Sequence, residues 1–340
     1  MFQLTKNSKI YIVAPPAEAS GGPELLHQLC NALRRRGFQA YMYYSKKHSD
    51  DIFTDNPVHE KYLIYNTEFV KTVEDKPENL LIVPEMITRP LAIYKTIQKC
   101  IWWLGANNYF WLKEIDSHKY WLWFVHHIRK LLGMKTPLTF KQIKKEADYH
   151  LAQCWYTASY LERKGIHNVV YLSDYLSPIF LTDENIFGQY MKEDMVLYNP
   201  SRNTKYIHKL EAAAPEIKFV AIHGMTAEQV LELMKKAKVY IDFGAHPGKD
   251  RMPREAAMCG CCIITSTLGS ADFFDDVPVY SEFKFERTRK NIPQVIKKIK
   301  YIFSNYEKEI IKFTYYRQYI LQEKKCFEKD IDKLFFVEKE

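Results

Sequence analysis

The chain has 340 residues, 47% hydrophobic and 26% charged, with a formal net charge of +8 at pH 7. This ordinary globular composition and length suggest two domains, each large enough to hold a core without disulfides or structural metal. The seven cysteines (Cys30, Cys100, Cys154, Cys259, Cys261, Cys262 and Cys326) are odd in number and irregularly spaced, which excludes a disulfide framework. Cys259, Cys261 and Cys262 cluster, but no second group completes a zinc set, so they read as buried thiols in a reducing cytoplasm. The N-terminal stretch lacks a signal-peptide apolar run, and no segment approaches the about 20 apolar residues of a spanning helix. The expected location is cytoplasmic, as a soluble protein or one peripheral on the inner face of the membrane. The basic balance suits an anionic partner: nucleotide, phosphate, nucleic acid or a membrane surface.

In chain order, Lys9 to Val13 reads as a strand opening into "APPAEASGGPE". A helix follows from about Glu24 to Arg36, with Leu25, Leu29, Ala32 and Leu33 at helical spacing and Gly37 closing it. "FQAYMYY", "NLLIVPE", "CIWWLGANN", "DYHLAQC" and "NVVYLSD" are further strands, with a short helix over Thr157 to Lys164. The segment from Leu176 to Glu193 has no clear period and marks a boundary. Beyond it the pattern restarts: strand "MVLYNP", helix 206–213, strand "KFVAIHG", a helix after Thr226 and Gln229 at capping-box spacing, strand "VYIDFG", a short helix from Glu255 to Cys259 and strand "CCIIT". Alternating strands and helices predict parallel sheets, hence an α/β fold of two Rossmann-like domains facing across a cleft. The expected division is 1–180, 190–310 and a C-terminal helical segment 311–340.

The segment between "VYIDFG" and "CCIIT" is the most informative. "HPGKDRMPREAAMCG" puts His246, Lys249, Asp250, Arg251, Arg254 and Glu255 between two strands that look buried. Ligands of parallel sheets bind beyond the carboxyl ends of the strands. Pro253 suits a first helical position, and a helix N-terminus beside these cations would take a phosphate or diphosphate. Glu255 could accept hydrogen bonds from ribose hydroxyls, or it could only balance its own helix dipole. The bland alternative for the whole segment is a solvated surface loop.

At this point the chain resembles a known family. "AKVYIDFG", "REAAMCGCCIIT", "TSTLGSADFF" and "HGMTAEQVLELMKKAKVYID" are similar to the donor-binding domain of GT-B-fold glycosyltransferases of the retaining, paired-glutamate group. "KIYIVAPPAEASGGPELLHQLCNALRRRGFQAYMYY" and "ADYHLAQCWYTASYLERKGIHNVVYLSDYLSPIF" resemble their first domain, so the likeness covers most of residues 9–275. The resemblance implies a nucleotide-diphosphate sugar donor and a glycan or lipid-linked acceptor, as in surface polysaccharide synthesis, without a cofactor or metal.

Residue by residue, Glu255 matches the second glutamate of the pair, which binds the ribose. Arg202 and Lys205 resemble the basic pair on the diphosphate, at shorter spacing. Gly21 and Gly22 match the turn that approaches donor phosphate or acceptor. Gly269 and Ser270 hold the small-residue positions of the donor loop, and His223, Gly224, Met225 and Thr226 lie where the base is held. Two departures stand out. Pro247 occupies the place of the first glutamate, with Asp250 the candidate to supply its carboxylate, and Asn107 and Asn108 stand at a strand end where the family carries a histidine. Glu85, after "LLIVP", is a second candidate catalytic or acceptor-facing carboxylate.

Residues 101–134 hold five of the six tryptophans, followed by His126, His127, Arg129 and Lys130. They fit an aromatic core, an acceptor wall or an anionic membrane contact. His126 and His127, adjacent on a helix, would not face one site. A nucleotide-sugar epimerase and a non-catalytic nucleotide-sugar-binding protein are alternative readings. Nucleic-acid binding is the rival class, but the basic residues are spread out and carry no nucleic-acid motif.

Overall fold

A computed structural model describes residues 2–18, 20–45, 56–113, 128, 137–181, 190–202 and 204–336. The chain divides into two compact units, Met1–Asp174 with Lys325–Glu340, and Tyr175–Lys324.

The first unit is built on a seven-stranded sheet of β1 (Lys9–Ala14), β2 (Gln39–Tyr44), β3 (Phe69–Val70), β4 (Leu80–Pro84), β5 (Gln98–Trp103), β6 (Tyr149–Ala152) and β7 (Val169–Tyr171). Its order is β3-β2-β1-β4-β5-β6-β7 and every pairing is parallel. Strands covered on both faces should read as continuous apolar runs rather than alternating ones. β4 obeys this, since all five residues of Leu-Leu-Ile-Val-Pro are buried.

The helix after β1 spans Gly21–Arg35 and buries Leu25, Leu26, Leu29, Ala32 and Leu33 against the sheet. It starts three residues before the expected Glu24, because Glu24 N–H already donates to Ser20 O. Gly21 and Gly22 are therefore the helix's first residues rather than a free turn. At the far end, Gly37 N–H reaches Arg34 O and Phe38 N–H reaches Leu33 O, the paired bonds of a Schellman stop.

The aromatic stretch is described in part. Trp102, Trp103, Tyr109 and Phe110 are core residues, not an exposed wall. Trp103 stacks parallel to Phe110 at 6.0 Å and meets Tyr109 edge-on at 5.5 Å. The side chains of Trp111, Trp121, Trp123, His126, His127, Arg129 and Lys130 lie outside the described residues.

The second unit carries five parallel strands: β8 (Glu193–Tyr198), β9 (Lys218–Ala221), β10 (Ala237–Asp242), β11 (Cys262–Ser266) and β12 (Lys284–Phe285). Their order is β12-β11-β10-β8-β9. Cys259, Cys261 and Cys262 are buried free thiols beneath this sheet's core, and only Cys326 of the seven is exposed. The expected capping box is present: Thr226 N–H donates to Gln229 Oε1 at 2.9 Å and Gln229 N–H to Thr226 Oγ1 at 3.3 Å, starting the helix Ala227–Lys236. The C-terminal helix Thr314–Leu334 is the longest described, at 21 residues. Among the described residues no helix is long and apolar enough to cross a membrane.

Candidate functional site

Both strand orders contain a reversal, and a reversal opens a crevice at the carboxyl edge of a parallel sheet. In the second unit the chain runs from β8 to β9 on one side and then to β10 on the other. The crevice therefore lies between the loops that follow β8 and β10. Arg202 is on the first loop, and His246, Lys249 and Asp250 are on the second.

These loops are joined by charge. Arg202 donates to Asp250 Oδ1 at 2.5 Å, and Asp250 Oδ2 lies 2.8 Å from His246 Nδ1. On its other side His246 Nε2 lies 3.2 Å from the carbonyl and 3.6 Å from the carboxylate of Asp242. Asp242 also accepts from Gly244 N–H at 2.8 Å. Burial works against a charge on His246, but Asp242 and Asp250 outweigh it and raise its pKa. Burial would also raise Asp250, yet His246 and Arg202 hold it below the ordinary range. For Asp242 burial wins, and its pKa is raised despite His246 and Arg202. The result is an alternating row, Asp242–His246–Asp250–Arg202.

The rest of the loop faces inward. Lys249 Nζ lies 2.9 Å from Glu323 Oε1, and Arg254 donates to Glu323 Oε2 at 2.7 Å. All three side chains are buried. Arg254 also donates to the carbonyls of Lys249 and Asp250. Lys249 and Arg254 thus brace the loop from behind rather than face a ligand, and the solvated-loop reading fails for the same reason. Arg251, partly exposed, donates to Tyr175 O at 2.9 Å.

The site helix spans Arg251–Met258, opening two residues before Pro253, with Asp250 in extended geometry before it. Pro253 is therefore its third residue, not its first. The whole first turn tolerates a missing N–H, because none of those donors has a partner inside the helix. Gly260, at φ +81°, closes the helix. Gly260 N–H bonds Ala257 O, and Cys261 N–H bonds Ala256 O. Glu255 sits in the second turn, half-buried.

Gly269 and Ser270 support the loop from below. Ser270 N–H donates to His246 O and its hydroxyl to Gly248 O at 2.7 Å. Ser266 Oγ donates to Gly244 O at 3.0 Å. Lys205 is exposed in the first turn of the helix Thr204–Ala213. His223, Gly224, Met225 and Thr226 are exposed beyond the end of β9. The second unit thus brings Arg202, His246 and Asp250 together, with Lys205 and the segment from His223 to Thr226 at the same sheet edge.

Asp242 and Glu323 were missed by sequence reasoning. Asp242 had a signal, an acid ending an otherwise apolar strand. Glu323 had none, being one of many charges on an amphipathic helix.

Among the described residues, one group of His, Cys, Asp and Glu side chains could hold a metal ion: Asp242, His246 and Asp250, with ligand atoms within 4.8 Å of one another. Arg202 already supplies a cation to Asp250, and His246 lies between the two carboxylates.

In the first unit the reversal lies between β1 and β4. A cavity of about 550 Å³ opens there, with Glu18, Ser20, Gly22, Glu85 and Asn108 among its lining. Glu85 follows β4 and is 2% exposed. Its carboxylate accepts from Leu104 N–H at 2.9 Å and from Asn108 Nδ2 at 3.5 Å. Burial raises its pKa to about 7, against the pull of those donors. Asn108 is thus tied to Glu85, while Asn107 accepts from Tyr156 Oη at 2.9 Å.

No known protein-family profile matches the sequence, and no curated protein matches it. Solved structures do. HepE of Anabaena, in complex with UDP and glucose, aligns over 96% of this chain and 99% of its own, at TM-score 0.60 and 10% identity. Sucrose-phosphate synthase from Thermosynechococcus elongatus aligns over 96% and 98%, at TM-score 0.58 and 12% identity. The catalytic domain of starch synthase IV from Arabidopsis thaliana, bound to ADP and acarbose, aligns over 96% and 98%, at TM-score 0.55 and 10% identity. The chain has the GT-B fold of these glycosyltransferases. Within the GT-B fold, its two crevices are the places where the strand order reverses.

Proposed function

We propose that the chain is a glycosyltransferase that moves a sugar from a nucleotide-diphosphate sugar to a glycan or lipid-linked acceptor, in surface polysaccharide synthesis. The observation that carries this reading is Arg202 beside the N-terminus of the helix Arg251–Met258, at the crevice between β8 and β10. A departing diphosphate needs a preorganised cation and N–H dipoles, which Arg202 and this helix end would supply. HepE, with UDP and glucose bound, shares the fold over nearly the whole chain.

In the proposed reaction the bond between the anomeric carbon and the diphosphate oxygen breaks, and the diphosphate leaves with the electron pair. An acceptor oxygen forms the new bond and gives up its proton. The transition state resembles an oxocarbenium ion. Arg202 neutralises the leaving group, with Lys205 at the same edge, and Glu255 takes the ribose. His223 to Thr226 border the base. Asp250 holds Arg202 and His246 in place, and this role replaces a direct contact with the sugar. Gly269 and Ser270 set the loop's height.

A thermal-shift screen of nucleoside diphosphates and nucleotide sugars tests the reading. One nucleotide should stabilise the chain, and Arg202→Ala should remove that shift. Stabilisation by no nucleotide would end it. Transfer that persists in chelator fits the metal-free reading, whereas loss restored by magnesium or manganese would assign the Asp242–His246–Asp250 group to a metal. A part in lipid-linked synthesis further predicts sedimentation with anionic liposomes at low salt.

A further inference from the structure

Three backbone carbonyls of the second unit converge on one ammonium group. Lys192 Nζ donates to Met234 O at 3.1 Å, to Ala237 O at 3.1 Å and to Cys259 O at 2.5 Å. Met234 lies in the last turn of the helix Ala227–Lys236 and Ala237 caps it, while Cys259 caps the site helix Arg251–Met258. The C-terminal ends of both helices, each carrying about half a negative charge, therefore meet at Lys192. Bonds to three acceptors require the charged form, since a neutral amine has only two hydrogens to donate. Among the described residues no carboxylate balances that charge. The ionisable groups beside Lys192 are the thiols of Cys259, Cys261 and Cys262. Burial pushes Cys261 up to about 11 and raises the other two as well, so all three are neutral near pH 7. Cys261 Sγ donates to the same Met234 and Ala237 carbonyls, at 3.3 Å each, and adds no negative charge of its own. Neutral carbonyls without a carboxylate are the donor chemistry of potassium, whose hydration shell such oxygens replace. Magnesium and calcium instead take carboxylates, and magnesium gives up its waters reluctantly.

We propose that this cage is a monovalent-cation site that the chain fills with its own ammonium, and that a potassium or ammonium ion takes the place once the Lys192 side chain is removed. Lys192 is a positioning residue: it fixes the C-terminal end of the helix whose other end borders the proposed donor crevice. The consequence for the donor rests on the glycosyltransferase reading. The cage rests on its carbonyls alone.

Thermal unfolding of the full chain in equal concentrations of potassium, ammonium, lithium and choline chloride tests this. The unaltered chain should melt at nearly one temperature in all four salts. Lys192→Ala should melt about 5 °C or more lower in lithium or choline chloride. Potassium or ammonium chloride should restore much of that loss, a size-selective rescue that a lysine acting only as packing would not show. Lys192→Met keeps the apolar stem and puts a thioether into the cage, so it should lose stability without rescue by any salt. The shift that UDP, ADP or GDP gives Lys192→Ala should return with potassium as well. Lys192→Ala as stable as the unaltered chain, equal melting of Lys192→Ala in all four salts, or equal rescue of Lys192→Met would each overturn the proposal. If Lys192→Ala does not fold in choline chloride, its refolding yield in potassium chloride gives the same reading, and no folding in any of the four salts would also overturn it. Selective rescue with no nucleotide shift in any chain would instead remove the glycosyltransferase reading and leave the cage standing.

Discussion

Gly269 passes so close to the carbonyl of His246 that a β-carbon on it would lie 2.0 Å from that oxygen. Its φ of +59° adds a second restriction, since residues with a β-carbon rarely adopt that geometry. The approach lets Ser270 N–H and Oγ take the loop carbonyls of His246 and Gly248. Gly269→Ala should therefore move the loop that carries Asp250. The expected outcome is lost nucleotide stabilisation together with a stability loss of about 1–3 kcal/mol, the usual cost of local backbone strain. Calorimetry with and without nucleotide checks it, and an unchanged nucleotide shift would show that the loop does not hold the donor.

Arg202 is the second test. Its guanidinium bridges two loops, and a point charge cannot reproduce its planar fork. Arg202→Lys should bind nucleoside diphosphate on the order of tenfold more weakly, and Arg202→Ala more weakly still. Titration calorimetry reads both. Equal affinity in Arg202→Lys and the unaltered chain would mean that only net charge matters there.

Glu323 binds two buried cations at once. Removing one partner of a buried ion pair leaves an uncompensated charge and costs about 3–5 kcal/mol. Glu323→Ala should lose stability of that order, while Lys249→Met should lose less, because Arg254 still satisfies the carboxylate. Urea unfolding separates the two, and a larger loss in Lys249→Met would reverse the assignment of Glu323 as the hub.

The contrast between Asp242 and Glu323 shows how far the sequence could be read. Strands such as "LLIVP" and "CCIIT" were legible because burial on both faces demands unbroken apolar runs. Helix ends at Gly37 and Thr226 were legible because capping is local chemistry. The site was legible as a place, the loop after β10, but not as an arrangement. Lys249 and Arg254 looked like ligand contacts because Glu323, their partner, lies about seventy residues further on, and sequence spacing carries no information about such a pairing. The segment beyond Lys113 that raised the membrane question stays a proposal of sequence alone.

Two buried groups of the first unit, Glu85 and His150, have pH effects that oppose each other. Glu85 has its pKa raised by burial from near 4.5 to about 7. Between those values the folded chain holds a proton that the unfolded chain has released, so this group lowers stability as pH rises from about 4.5 to 7. His150 accepts from Trp103 Nε1 at 3.1 Å, and its pKa is lowered by burial, with help from Lys144, from 6.5 to about 4. Here the unfolded chain binds the extra proton, so stability falls as pH drops from about 6.5 to 4. The two slopes nearly cancel over the shared window. Glu85→Gln should break the balance: its stability relative to the unaltered chain should climb through pH 4.5–7, by roughly 3 kcal/mol at the top. His150→Gln, which keeps an acceptor for Trp103, should instead gain relative stability on acidification below pH 6.5. All six tryptophans lie between residues 102 and 155, so their fluorescence during urea unfolding reports this unit alone. Variant and unaltered curves that stay parallel from pH 4 to 8 would show that neither group is held in the protonation state assigned to it.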